Sequence, residues 1–316
     1  MNRNNRINER QGDRQLRLPG NTDRGPVNFE SRKAVREGEI MAIASTEVVS
    51  VPPTMTIIGA IEKMTECGFR RLPVTDAGTR RLRGIVTAGD IIDMMGGGNK
   101  FNLVKKKHAG NLVAAINESV RAIMTEKVLT IGNDAKIADA ASLIVGKKMG
   151  GLPIVDARET LVGIVTERDV MKVLSSEKGQ GLVEEIMSTS LKVTGPDSPI
   201  GEATKEMITQ HFRRLPVVKY DVLYGIITAT YIMKYLGTGQ VFQRMVTGNV
   251  AEVMALPVRT LVSGNLHTID PKKNVNDAAR EMLARNVGAL PVIEDAKLVG
   301  LVTEFDLVKA FARREA

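Results

Sequence analysis

The chain has 316 residues, a formal net charge of +8 and 43% hydrophobic residues, yet no Trp, four Tyr and seven Phe. Ile, Val, Leu and 15 Met must therefore fill its cores, and the shortage of aromatic faces argues against a base-stacking platform for single-stranded nucleic acid. A single cysteine, Cys67, excludes an internal disulfide framework, and no apolar run reaches the roughly 18 residues of a membrane span.

Residues 1–36 are polar, rich in Asn and Arg, and without apolar periodicity. Such a segment buries too little to offset its ordering entropy, so it reads as a disordered basic tail ending by residue 40. It has no apolar centre and is not a secretory signal, which together with the lone cysteine points to the cytoplasm. Residues 1–40 hold nine Arg/Lys against six Asp/Glu, leaving a surplus of five on the rest of the chain. A surplus of that size suits phosphate-bearing small ligands as well as nucleic acid.

From residue 41 one cassette recurs four times. An alanine, eleven further residues and Leu-Pro appear as Ala60/Leu72-Pro73, Ala140/Leu152-Pro153, Ala203/Leu215-Pro216 and Ala278/Leu290-Pro291. A Gly-aliphatic-aliphatic-Thr follows each, as Gly84–Thr87, Gly163–Thr166, Gly225–Thr228 and Gly300–Thr303, with 11, 10, 9 and 9 residues from Pro to Gly. Invariant spacing over four copies marks duplicated supersecondary units that stack on one another. We place them at 41–98, 120–176, 180–237 and 250–316, joined by a partly helical connection over 99–119 and a shorter one over 238–249.

Each unit opens on a short strand, such as Val48–Val51 or Val128–Ile131, and continues as an amphipathic helix with apolar residues at helical spacing, as in Ile137–Val145. Two strands joined by a turn come next, and a second helix begins near the Thr. The unit is β-α-β-β-α, and the four prolines should mark strand starts, because Pro cannot donate to a ladder. The run Lys105–His108 reads as a solvated helix face.

The chemistry-bearing positions follow each Gly-containing strand: Thr87/Asp90, Thr166/Asp169, Thr228/Tyr231 and Thr303/Asp306. Thr with an acid three residues on, opening a helix, is a capping-box pattern. The same groups suit a nucleotide. An Asp carboxylate accepts from a ribose diol, a Thr hydroxyl can donate to phosphate, and a helix N-terminus adds amide donors. Tyr231 cannot replace that carboxylate, so three competent sites are expected and the third repeat's is empty or altered. Before Leu-Pro, the first and third repeats carry Arg70-Arg71 and Arg213-Arg214, whereas the second has Gly150-Gly151 and the fourth Gly288-Ala289. The arginines are either solvated edge charges or bidentate phosphate ligands meeting at the centre of the assembly. Arg168 is a further candidate, and the small residues leave room for a base or sugar. His108, His211 and His267 stand alone in sequence, and no nucleophile elbow or P-loop occurs, so catalysis has little support.

The unit, with Leu-Pro-Val, Gly-Ile-Val-Thr and x-x-Asp, resembles the cystathionine-β-synthase (CBS) domain over residues 41–316. The four-unit arrangement is similar to the gamma subunit of AMP-activated protein kinase and its archaeal stand-alone relatives. The resemblance implies an α/β (α+β) fold in which units pair through their sheets into two Bateman modules packed as a disc. It also implies clefts binding adenosine-containing ligands (AMP, ADP and ATP, or S-adenosylmethionine as the alternative) without catalysis. Adenine would lie against the opening strands at Ser50, Thr130, Val193 and Thr268, ribose and phosphate on the Thr/Asp pairs, and phosphate on the arginines. Output would pass through a separate regulated protein, and a homodimer is compatible with this reading. The rival from another class is a nucleic-acid-binding or scaffold protein with vestigial clefts.

Overall fold

The computed structural model describes residues 39–176, 181–262 and 266–315. The expected tail lies outside them except for Glu39 and Ile40. Ile40 is buried at the head of a short helix, α1 (Ile40–Ile43), so the folded part includes a residue assigned from sequence to the tail.

The first unit comprises α2 (Ile57–Cys67), β1 (Arg71–Thr75), β2 (Leu82–Thr87) and α3 (Ala88–Gly96). Thr56 caps α2 by accepting from the Gly59 amide at 3.1 Å, and Gly68, at φ 67°, ends it in the left-handed region. Between these stops Ile57, Ala60, Ile61 and Met64 form the buried stripe. After α4 (Leu112–Ile116), the second unit adds β3 (Ile131–Gly132), α5 (Ile137–Gly146), β4 (Gly151–Val155), β5 (Leu161–Thr166) and α6 (Glu167–Ser176). The third, after α7 (Val183–Ile186), holds α8 (Ile200–Thr209), β6 (Arg214–Lys219), β7 (Val222–Thr228) and α9 (Ala229–Gly237). The fourth, after α10 (Val250–Met254), holds α11 (Val275–Ala284), β8 (Ala289–Glu294), β9 (Lys297–Thr303) and α12 (Glu304–Glu315). In the connection, Lys105, Lys106 and Lys107 are exposed, and Lys107 and His108 both reach Glu118, at 2.6 and 3.0 Å.

Two strand expectations need correction. The prolines are the third residues of β1, β4, β6 and β8, not the first. The opening strands shrink to a single parallel rung in three units, at Val51/Val74, Thr194/Val217 and Ile269/Val292. One cause explains both. The Pro73 carbonyl accepts from Val51 at 3.0 Å and the Thr75 amide donates back at 2.9 Å. Proline's missing N–H lies on that same edge, so no donor remains to extend the rung toward Val49.

Units one and two exchange edges. Thr125, leading into unit two, pairs both ways with Ile85 of β2, while Ser45, leading into unit one, pairs with Ile164 of β5. Ser188 does the same for Leu301 of β9. A Cβ on Gly84 would lie 2.9 Å from the Thr125 carbonyl, and one on Gly300 2.5 Å from Met187 Sδ, so this close approach explains the glycine in units one and four. The helices pair differently. One core joins units one and three, with α2 against α9 and α3 against α8, and the other joins two and four, with α5 against α12 and α6 against α11. Each unit thus meets one neighbour through strands and another through helices. Tyr235 and Phe311 are the only buried aromatic side chains among the described residues, and aliphatic groups fill both cores as the composition requires.

Candidate ligand-binding site

Each Gly-containing strand delivers its Thr to a helix N-terminus, and the expected pairs form. The Thr87 amide and hydroxyl both donate to Asp90 Oδ2 at 2.7 Å. The equivalent distances are 2.9 and 2.7 Å for Thr166/Asp169, and 2.9 and 2.6 Å for Thr303/Asp306. The Asp90 and Asp306 amides also donate back to their Thr hydroxyls, at 3.3 and 3.4 Å, which completes the capping arrangement in units one and four. The hydroxyl's one hydrogen is spent on the carboxylate, so the Thr fixes the Asp and is not positioned to donate to phosphate, contrary to the expectation for Thr87, Thr166 and Thr303. In the third unit Thr228 accepts from the Tyr231 amide at 3.1 Å, and Tyr231 supplies no carboxylate.

The Oδ1 atoms of the three carboxylates differ. Asp90 Oδ1 is taken by the Lys100 ammonium. Asp169 Oδ1 meets Lys172 at 2.9 Å, on a lysine side chain that is 57% exposed. No described residue bonds Asp306 Oδ1, and burial pushes the Asp306 pKa up against the bonds from Thr303.

The arginine pairs from units one and three converge where all four units meet. Arg70 forks onto Glu304, and Arg213 Nη1 donates to Glu167 Oε2 at 2.6 Å. Arg71 and Arg214 turn instead to backbone, donating to the carbonyls of Gly150 and Gly288. Arg168 approaches Glu304 Oε1 at 3.3 Å and also donates to Asn286 Oδ1 and to the Val287 carbonyl. The sequence-based expectation that the small residues of units two and four leave room for a base or sugar is not met. A Cβ on Gly150 would lie 2.2 Å from Arg71 Nη2, and one on Gly288 2.9 Å from Arg70 Nη2, so guanidiniums fill that space.

Glu167 and Glu304, which sequence reasoning missed, have side chains only 2% exposed. The signal was present: the residue after the Thr is Glu in units two and four but Ala in one and three, the reverse of the Arg-Arg pattern. Burial works against the Glu304 charge, but Arg70, with Arg214 and Arg168, holds its pKa below the usual carboxylate value. Burial pushes Arg71 and Arg214 down to about 10, so both remain charged at neutral pH. Five guanidiniums thus surround two carboxylates, and one of these, Glu167, has an Oε1 buried without a partner. The five guanidiniums outnumber the two carboxylates, so the centre carries a surplus of positive charge.

The adenine positions are more scattered. Ser50 bonds Thr75 Oγ1 at 2.9 Å and lines a cleft of about 430 Å³ with Val48, Pro52, Asp76 and Arg80. Thr130 is half-buried, whereas Thr268 and Val193 are exposed.

Comparison with known proteins decides the family. The CBS domain family matches residues 38–97, 120–176, 183–238 and 251–313. The chain is a four-repeat CBS-domain protein. It is 38% identical to the uncharacterised protein MJ1225 of Methanocaldococcus jannaschii, across 86% of this chain and 99% of that one. The MJ1225 crystal structure, described as that of a proposed archaeal homolog of g-AMPK, superposes with a TM-score of 0.82 at 37% identity, covering 86% of this chain and 99% of its own. A Thermofilum pendens protein from a ribosomal RNA operon is 26% identical over 83% of this chain and 87% of its own length. A Pyrococcus horikoshii structure shares the fold, with a TM-score of 0.55 at 18% identity over 84% of this chain and 96% of that one. Among the described residues no helix of this CBS protein is long and apolar enough to cross a membrane.

Proposed function

We propose that this CBS protein is a non-enzymatic regulatory subunit that binds adenine nucleotides and reports cellular energy state to a separate protein. AMP, ADP and ATP compete for it, ribose resting on the Asp carboxylates and phosphates on the central arginines. One observation carries this reading. Arg71 and Arg214 are charges drawn into the centre whose direct partners are backbone carbonyls, an arrangement that a bound anion completes. Phosphate fits, because a guanidinium offers it two parallel donors. S-adenosylmethionine has no phosphate and offers one carboxylate, offset by its own ammonium and sulfonium, so it answers less of that surplus. The resemblance to a proposed g-AMPK homolog along nearly the whole of MJ1225 supports the same reading.

Calorimetric titration of nucleotide-stripped protein with AMP, ADP, ATP and S-adenosylmethionine tests it. Phosphorylated nucleotides should bind at no more than three sites per chain. Replacing both Arg71 and Arg214 by Met should weaken ATP at least tenfold, because each charged hydrogen bond is worth about 1.5–3 kcal/mol. Equal binding of ATP by the double variant would overturn the phosphate role. Silence from every nucleotide, with retention of nucleic acid that falls steeply with salt, would favour the scaffold reading instead.

A further inference from the structure

The three Thr/Asp pairs are not equivalent, and the difference lies in a loop outside the repeat motif. After α3, Gly97 takes φ 95° and turns the chain back over the helix. The loop is then tied down by Asp93, whose carbonyl accepts from Gly98 at 3.3 Å and whose Oδ1 accepts from the Lys100 amide at 2.9 Å. A Cβ on Gly98 would lie 2.2 Å from Asp93 Oδ1, so only glycine lets the loop seat this closely. The result is that the Lys100 ammonium sits on Asp90 Oδ1, the oxygen left over when Thr87 has taken Oδ2. Both partners are largely enclosed, at 23% and 13% side-chain exposure.

Among the described residues the other units lack this device. In the third unit the residues at the same offsets are Tyr231, Lys234 and Val241, and Val241 is fully buried in the core. In the second, Lys172 reaches Asp169 from the next helical turn and is mostly in solvent. In the fourth, no described residue bonds Asp306 Oδ1.

We propose that Lys100 is an intramolecular latch that occupies the ribose-binding oxygen of Asp90 and makes the first site weaker than those of Asp169 and Asp306. The inference rests on the nucleotide reading above. A ribose diol needs a free carboxylate oxygen, and at Asp90 it must displace an ammonium that is already paired and partly desolvated. The latch therefore ranks the sites. Asp306 fills first and Asp90 last, which widens the ligand range over which the protein responds.

The test is calorimetric titration of stripped wild-type protein, Lys100→Met and Lys100→Met/Asp90→Asn with AMP. Lys100→Met should strengthen the weakest AMP site by roughly tenfold, the worth of one charged hydrogen bond, and Asp90→Asn added to it should remove that gain. A weaker first site in Lys100→Met would overturn the inference, because Lys100 would then be a ligand contact. An unchanged isotherm would overturn it too. A second readout needs no ligand: acylation of lysines by a small amine-reactive ester, followed by peptide mass spectrometry. Lys100 should react more slowly than Lys105, and Asp90→Asn should speed it several-fold, whereas equal rates refute the latch. If AMP binds none of the proteins, and Asp306→Asn is equally silent, the nucleotide reading fails and the ranking fails with it. If AMP binds and only the Lys100 comparison fails, the latch alone is lost.

Discussion

Replacing Glu304 by Gln probes the charge balance at the centre. Glu304 is the only acid in direct ion-pair contact with Arg70 and Arg168 among the described residues, and its side chain is 2% exposed. Breaking a buried ion pair by removing one partner costs about 3–5 kcal/mol. Arg70 and Arg168 keep 30% and 29% of their side chains in solvent, which returns part of that cost. A loss of about 2–3 kcal/mol is expected, a fall in melting temperature of roughly 4–6 °C for folded material of this size. Inorganic pyrophosphate should restore more stability to the variant than to wild type, because the variant centre has one negative charge fewer. Saturation at a hundredfold excess over the dissociation constant contributes about 2.7 kcal/mol. The assay is thermal denaturation of both proteins with and without pyrophosphate. The pH dependence carries a sign. Because the folded Glu304 pKa is depressed, its contribution is complete above the unfolded value of about 4.3 and is lost only as pH falls through the lower folded value. The gap between wild type and variant should stay flat from about pH 8 to about pH 5 and close below about pH 4. A loss under about 0.5 kcal/mol, or equal stabilisation of both proteins by pyrophosphate, would refute a strained cationic centre.

Other substitutions give equally plain outcomes. The folded Asp306 pKa is raised by burial, so its charge costs stability once pH rises through that value. Asp306→Asn should therefore leave the ligand-free protein at least as stable at pH 7 while weakening AMP, as read by denaturation and titration on one sample. Gly237→Ala puts a Cβ 2.3 Å from Thr65 Oγ1 and 3.1 Å from Ile61 Cγ2, wedging α9 off α2. It should cost about 1–3 kcal/mol in chemical denaturation. Gly146→Ala is the matched control, since a Cβ there meets nothing within 4 Å; it should be neutral or stabilising by about 0.5–1 kcal/mol.

The repeated Leu-Pro and Gly-aliphatic-aliphatic-Thr motifs made the number and order of elements legible, because a fixed spacing reflects a fixed unit. The length of the opening strands was not legible, since alternation at Val48–Val51 says nothing about the donor that Pro73 withholds. The repeat pattern singled out the arginines but left them between solvated edge and centre, and their partners could not be read at all. Glu167 looks in sequence like a second acid in a helix's first turn, and only the packing of unit two against unit three brings Arg213 to it. The Asp90 contact was hidden for a similar reason. Lys100 lies ten residues away across a glycine run, and no helical or strand periodicity links the two.

Duplication alone would place identical residues at every equivalent position. Here units one and three supply Arg-Arg before the Leu-Pro strand and Ala after the Thr, while units two and four supply small residues and Glu. The consequence is geometric. Arg70 of unit one reaches Glu304 of unit four, and Arg213 of unit three reaches Glu167 of unit two. Arg71 and Arg214 meanwhile cross the strand interfaces to Gly150 of unit two and Gly288 of unit four. Every unit is therefore tied to the centre by a charge or by a carbonyl holding one. An anion that draws Arg71 or Arg214 from its carbonyl, or competes with Glu304 for Arg70, perturbs an interface between units and not merely a pocket wall. Under the proposed function, that couples ligand binding to the arrangement of the units, provided the ligand binds two such arrangements with different affinity. It also implies an asymmetric response. Arg168 braces Glu304, but its counterpart in unit four is Phe305, and Glu167 Oε1 is left without a partner. The Arg213–Glu167 contact has less to lose than its twin and should be the first to yield to an incoming phosphate.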